Sequence, residues 1–470
     1  MEPCADTLCE ICGVDYDFSL PAEILSAAKS RDLILFLGAG ISTEGPSVTP
    51  SGNFYQNIAA KLHSPPARDA PFPTVMETFQ KENSRKALIE QIFLRLKEVE
   101  GFRNSLYHAT RFFDELATMP YIDTIFTTNW DTYVEDLCGA TPFISGEDVA
   151  LWDVAERKVL KLHGSIANLG SIVATEEDYQ KNFEKLSKGF LGAFLRTALA
   201  TKTVVFIGYS LRDWNVVQLY TELVEDLGVS APRAFKVSPN SAVESGFPSI
   251  TPIATSGIHF LRSLKTQMAE VGYLEDSIYS KVERVLQESK DLDPRLAEVP
   301  IDHHTFPQVV YAWSYNDGLS DSLDRILRFR RTGHYSDRAR LERKLDSYDL
   351  LIRRAIQNGL YNDAVYLMGY FDGLSVPLRN SESHGGRGEP CQDEDLIPLF
   401  QFDSEEPIQT LRDLHTYLDQ SRESDDEWQA HARRIAMRLP EGYVTHHSGE
   451  LPPLIFGATH GEDVCGSCEP

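Results

Sequence analysis

Leu33-Ile34-Leu35-Phe36-Leu37-Gly38-Ala39-Gly40-Ile41-Ser42 reads as a strand with no polar face that runs straight into a glycine turn. Five apolar residues without alternation predict a strand covered on both sides, as in a parallel sheet with helices on each face. Three more apolar runs end in the same way. Tyr121-Ile122-Asp123-Thr124-Ile125-Phe126 leads into Thr127-Thr128-Asn129-Trp130-Asp131. Lys158-Val159-Leu160-Lys161-Leu162 leads into His163-Gly164, and Thr203-Val204-Val205-Phe206-Ile207 into Gly208-Tyr209-Ser210-Leu211-Arg212-Asp213. Open α/β sheets bind ligands where the carboxyl ends of their strands meet. The pattern therefore predicts one crevice lined by a glycine turn, an Asn/Asp pair, a histidine and a second glycine turn. Such a crevice suits a nucleotide and a reactive centre.

Helical periodicity recurs between these runs, over residues 19–30, 51–62, 74–99, 104–118, 187–201 and 213–227. Residues 233–237 and 258–261 read as closing strands, and 171–174 as a strand entering a helix that starts at Thr175 with Glu176, Glu177 and Asp178. Alternation of this kind predicts an α/β fold, a doubly wound Rossmann-like parallel sheet. The pattern changes after residue 265. Helical periods at 274–288, 320–331, 336–358 and 361–370 predict a mainly α-helical C-terminal domain. The expected division is a tail at 1–18, a catalytic domain at 19–265, a helical domain at 266–380, and an acidic, partly helical segment at 381–470. Gly385-Gly386-Arg387-Gly388-Glu389-Pro390 marks the last break, and a helix capped by Ser424 is expected to run to Met437.

The four strings, taken in order, resemble the sirtuin-like proteins, whose motifs run GAG-x-S, T-x-N-x-D, His-Gly and G-[TY]-S. Tyr107-His108, opening the helix before the second motif, belongs to the same pattern, and the resemblance covers residues 19–265. Within that family the chain looks like the bacterial sirtuin-like NAD hydrolases, many of which act in anti-phage defence. It departs from the deacylases at two places. No cysteine lies between His163 and Gly208, so the two CxxC pairs of a zinc ribbon are missing. Thr49-Pro50-Ser51-Gly52 stands where deacylases carry a phenylalanine-arginine pair.

The resemblance implies NAD as the substrate, with no metal required for catalysis. Nicotinamide leaves as a neutral molecule, so the protein must stabilise an oxocarbenium-like ribose and place a nucleophile. Asn129 suits the orientation of a water or a ribose hydroxyl, since its amide stays neutral. Asp131 suits the nicotinamide amide or the developing cation, and His163 suits proton removal near neutral pH. Gly38, Ala39, Gly40, Ser42 and Thr128 are expected to bind the cofactor, with the amides of Gly38 and Gly40 approaching the pyrophosphate. Gly208, Ser210 and Asp213 are expected at the adenosine side, with Asn240 a further ribose contact. Each has a plainer reading: a bare βα turn, a strand end, or a helix cap for Asp131 and for the Ser210/Asp213 pair.

A formal charge of −25 argues against direct nucleic-acid binding, and residues 371–470 hold 20 Asp/Glu against 7 Lys/Arg. The basic run Arg325-Ile326-Leu327-Arg328-Phe329-Arg330-Arg331 reads as a solvated helix face or a contact to an acidic partner. No run of apolar residues is long enough to span a membrane and the first residues lack a signal-peptide pattern, so a soluble, cytoplasmic protein is expected. Cys9/Cys12 and Cys465/Cys468 form two CxxC pairs, read as incidental tail cysteines, with structural zinc or a redox pair as alternatives. His303-His304 reads as a loop pair. The resemblance further implies a homo-oligomer, and a defence partner such as a ring-forming ATPase. Against the hydrolase reading stand two others, an NAD-dependent deacylase or ADP-ribosyltransferase, and a non-catalytic nucleotide-binding scaffold.

Overall fold

The computed structural model describes residues 18–42, 53–64, 66–67, 70–209, 214–231, 233–239, 250–293, 295, 301–379, 408, 410–422 and 424–439. Ser210, Asp213, Asn240, Thr49–Gly52, the 385–390 break and both CxxC pairs lie outside them. The chain forms two compact units. One takes in residues up to Asp276 together with Phe329–Asp337, and the other holds Ser277–Arg328 and the chain from Arg338 onward.

The first unit is built on a parallel sheet of strands β1 (Leu33–Leu37), β2 (Thr124–Thr127), β3 (Thr141–Phe143), β4 (Lys158–Lys161), β5 (Thr203–Ile207), β6 (Ala234–Ser238) and β7 (Ile250–Ala254), in the order β3-β4-β2-β1-β5-β6-β7. The expected doubly wound α/β fold is borne out. Alternate residues of β1 enter opposite cores, which explains a strand with no polar face. Leu33, Leu35 and Leu37 pack with Phe112, Phe113 and Leu116 of the helix Arg103–Ala117. Ile34 and Phe36 pack with Leu195 and Leu199 of the helix Phe190–Thr201 and with Tyr220. A third cluster joins three helices, Phe54–Ala59, Phe72–Glu82 and Arg85–Gly101, through Phe54, Ile58, Val75, Met76, Phe79 and Ile92.

The register fixes where the site falls. Leu37 pairs with Thr127 on one side and Ile207 on the other, and Thr127 pairs with Lys161. The carboxyl ends of β1, β2, β4 and β5 thus lie in one row, at the point where the strand order reverses.

Three expectations change. Residues 258–261 are helical, inside Gly257–Ala269, which Ser256 caps by accepting from His259 N–H. Ile258, Leu261, Leu264 and Met268 recur at the helical period, and a four-residue apolar run could not reveal that. Residues 172–174 form no strand, although the helix that follows, Glu176–Lys188, carries the expected N-terminus as a reciprocal capping box of Thr175 and Asp178. The helix Glu427–Ala436 is capped by Asp426, which accepts from Gln429 N–H at 2.8 Å, while Ser424 donates to Asp426.

Phe329–Asp337 returns to the sheet-bearing unit between two helices of the other unit. Leu274 N–H donates to Ser336 O at 2.7 Å. Gly333, at φ +64°, sits where a Cβ would fall 2.8 Å from Pro120 Cδ and 2.9 Å from the carbonyl carbon of Thr118. The described residues of the second unit are mainly helical, with Ser277–Asp291, Val309–Arg328, Arg338–Gln357, Tyr361–Ser375, Leu411–Ser421 and Glu427–Ala436 as the main elements. The backbones of 309–328 and 361–375 touch at Gly318 and Gly369, where a Cβ would meet Tyr366 O at 1.9 Å and Tyr315 O at 2.0 Å. His303 is buried there, with its ring 4.2 Å from that of His304. Among the described residues no helix is long and apolar enough to cross a membrane.

Candidate active site

The two glycine turns interlock. Gly38 N–H donates to Ile207 O at 3.0 Å, and Gly40 N–H donates to Gly208 O at 2.9 Å. A Cβ on Gly38 would lie 2.5 Å from Gly208 O, and one on Gly208, whose φ is +62°, would lie 2.7 Å from Ile41 N. Glycine is thus required here for backbone-on-backbone approach. This departs from the expectation that the amides of Gly38 and Gly40 face a pyrophosphate, because both are engaged by the opposite turn. Gly208→Ala is expected to force the turns apart and lower stability by about 2–4 kcal/mol. A thermal melt matching wild type would show that the two turns part without cost.

The end of β2 is anchored by Thr127, whose Oγ1 donates to Leu37 O at 3.0 Å and accepts from Asn129 N–H at 3.0 Å. Asn129 is 8% exposed, and its Nδ2 donates to Gly38 O at 3.2 Å and to Ser42 Oγ at 3.1 Å. Ser42 Oγ donates in turn to Asp131 Oδ2 at 3.0 Å. A carbonyl can only accept, so the bond to Gly38 O fixes which end of the amide is nitrogen. Asn129 Oδ1 is left buried with no hydrogen-bond partner. Asp131 Oδ1 accepts from Tyr133 N–H at 3.3 Å, so this carboxylate also serves the helix Tyr133–Cys138. Burial raises the Asp131 carboxyl above the ordinary carboxylate range, against the pull of the nearby Lys161 ammonium.

His163 follows β4 and is 4% exposed. Its carbonyl accepts from Val173 N–H at 3.0 Å, and its ring meets that of Tyr179 edge-on at 4.9 Å. The glycine after it is at φ +78°, where a Cβ would lie 2.2 Å from Ser171 O. Ile166 N–H donates to Trp130 O at 2.8 Å, tying the histidine turn to the asparagine turn.

These turns open on one cavity of about 1580 Å³, ample for a dinucleotide. Ala39, Gly40, Thr128, Asn129, Asp131, His163 and Gly208 all line it, and Ser42 stands behind Asn129 and Asp131. Sequence reasoning missed the aromatic wall. The rings of Phe54 and Phe72 lie 6.3 and 6.0 Å from Trp130, and Tyr179 and Phe183 come from the helix 176–188. Trp130 was in view inside the motif, but nothing near Phe54 or Phe72 signals the site. The buried Lys161–Glu135 pair was also missed, although a lysine inside an apolar strand is a visible anomaly.

A parallel α/β sheet that presents an Asn-x-Asp turn and a His-Gly turn to one cavity makes that cavity a candidate nucleotide site with a candidate reactive centre. In comparison with known proteins, residues 123–252 match the family model of the SIR2-like domain. The sirtuin-like resemblance is borne out at the level of that domain, and the matched stretch carries the second, third and fourth motifs. The chain is 27% identical over 212 residues to the protein named Defense-associated sirtuin 2 of Bacillus subtilis, covering 42% of this chain and 20% of that protein. It is 25% identical over 207 residues to the protein named NAD(+) hydrolase ThsA of Enterococcus faecium, covering 42% of this chain and 41% of that one. The matches thus span less than half of either relative's length.

Proposed function

We propose that the protein is an NAD glycohydrolase that cleaves NAD to nicotinamide and ADP-ribose in the cytoplasm, as an NAD-depleting effector of anti-phage defence. The observation that carries this reading is the Asn129 amide, fixed by Gly38 O and Ser42 Oγ and with Oδ1 buried without a protein partner, in a residue that lines the same cavity as His163. An acceptor held in a fixed direction can orient a water or a ribose hydroxyl for attack. In the reaction, water adds at C1′ of the ribose while the electron pair of the glycosidic bond passes to the pyridinium nitrogen. His163 accepts the proton that the water loses. Asp131, held by Ser42 Oγ, supplies negative potential toward the cationic centre. Phe54, Phe72 and Trp130 keep bulk water from one wall. The names of the two relatives, a defence sirtuin and an NAD hydrolase, support both halves of the reading.

Assembly into a homo-oligomer, and docking of a partner such as a ring-forming ATPase, belong to the same proposal, with the helical unit as the element for either. Light scattering on the purified chain tests the first, and co-purification with a neighbouring gene product tests the second.

Wild type is expected to convert NAD to nicotinamide and ADP-ribose, identified by chromatography, alone or with that partner. His163→Ala is expected to lose about 10²–10³-fold in rate with its melt intact. NAD that binds without turnover in any mixture would leave the nucleotide-binding scaffold as the better reading. Label carried from NAD onto a protein would favour a transferase instead.

A further inference from the structure

Lys161 closes β4 with a side chain that has no solvent exposure. Its ammonium donates to the main-chain carbonyl of Asp131 and, at 2.8 Å, to Glu135 Oε1. Two apolar side chains of the same volume would avoid the desolvation that such a pair suffers, so stability alone does not explain a lysine at this position. Its placement does. The ammonium is bonded to the turn that carries Asn129 and Asp131, and the same strand delivers His163 two residues later.

We propose that Lys161 is a positioning residue that acts on the cavity through the Asp131–Ser42–Asn129 chain. This rests on the glycohydrolase reading for its kinetic consequences. Asp131 is buried, and a carboxylate there needs compensating positive charge. While it is ionised it can only accept, so the Ser42 hydroxyl hydrogen must point to it. Ser42 then keeps a lone pair for Asn129 Nδ2, and the orientation of the amide beside the cavity is fixed. Protonated Asp131 becomes a donor, Ser42 is free to turn, and the orientation of Asn129 is lost. The groups facing Asp131 are Lys161 from β4, Tyr133 and Glu135 from the helix 133–138, and Ser42 from the glycine turn, while His163 lines the same cavity. Lys161 favours the ionised carboxyl, and the negative charge of Glu135 opposes it.

The two partners therefore have opposite signatures. Lys161→Met removes the positive charge, so Asp131 takes up its proton at higher pH and the acid limb of kcat moves upward. Glu135→Gln leaves the lysine uncompensated, so the same limb moves downward. Lys161→Met is expected to lose about 10²-fold in kcat with little change in NAD affinity, and Lys161→Arg is expected to return the limb toward wild type. A merely structural lysine would lower kcat or the melting temperature in both variants without moving the limb in opposite directions. Limbs that stay fixed, or move together, overturn the proposal.

A second readout does not depend on activity. The Asp131 carboxyl is followed by carbon-13 NMR of aspartate-labelled protein, with Asp131→Asn identifying its signal. Its titration is expected to move up in Lys161→Met and down in Glu135→Gln, and an unmoved titration overturns the proposal. Opposite shifts in a protein that never releases nicotinamide would sink the glycohydrolase reading while leaving the charge coupling in place.

Discussion

Asn129→Asp is expected to lower kcat for NAD hydrolysis by about 10³-fold while the affinity for NAD changes by less than about tenfold. The substitution keeps the size of the side chain and removes both of its donors. Gly38 O and Ser42 Oγ each lose the hydrogen they accept from Nδ2. A second carboxyl then competes with Asp131 for the single hydroxyl hydrogen of Ser42. Two enclosed carboxyls around one donor cannot both stay ionised, so one holds a proton and the fixed acceptor at Oδ1 is gone. The expected signature is a fall in kcat rather than a rise in KM, read by single-turnover kinetics beside calorimetric titration of NAD. Ser42→Ala is expected to lie between the two, since it removes the relay yet leaves the bond from Nδ2 to Gly38 O. Turnover in Asn129→Asp within about tenfold of wild type would remove this amide from the mechanism.

The four motif strings were legible because each combines a chain direction with a backbone demand. Leu33–Leu37 has no polar face because both faces meet cores, and that pattern survives in one dimension. The glycines at 38, 40, 164 and 208 were visible for the same reason, although their use differs from the one expected. Gly38 and Gly40 let two turns interlock, which depends on β5 lying beside β1, and no local pattern states that pairing. The aromatic wall was hidden because Phe54 and Phe72 reach Trp130 only through packing between helices far apart in sequence. β3 is three residues long with Pro142 at its centre, too short to carry a period. β7 carries no clear strand signal because Thr251 and Pro252 are exposed on an edge strand.

Arg157 was equally silent in the sequence, and Arg157→Met is expected to give the largest loss of stability, about 3–5 kcal/mol. The residue precedes β4 and is 6% exposed. Its guanidinium donates to five main-chain carbonyls: Met119 at 2.6 Å, Cys138 at 2.8 Å, Ile122 at 3.0 Å, Ala117 at 3.1 Å and Arg331 at 3.2 Å. Those carbonyls close the helix Arg103–Ala117, shape the turn into β2, end the helix Tyr133–Cys138 and belong to the returning segment 329–337. The oxygens at helix C-termini carry partial negative charge, so one planar cation with several donors satisfies what water cannot reach. Methionine fills the volume and leaves those acceptors buried and unpaired. The melting temperature is expected to fall by about 10 °C. Arg157→Lys is expected to recover little, because a single ammonium offers three donors without the fork that reaches five oxygens. NAD turnover measured well below the melt should suffer less than in Asn129→Asp, since the damage lies at the amino end of β2 rather than at the cavity. A loss below about 1 kcal/mol in urea or thermal denaturation would show that water or relaxation replaces the guanidinium, and that the returning segment is held by Leu274 and Gly333 instead.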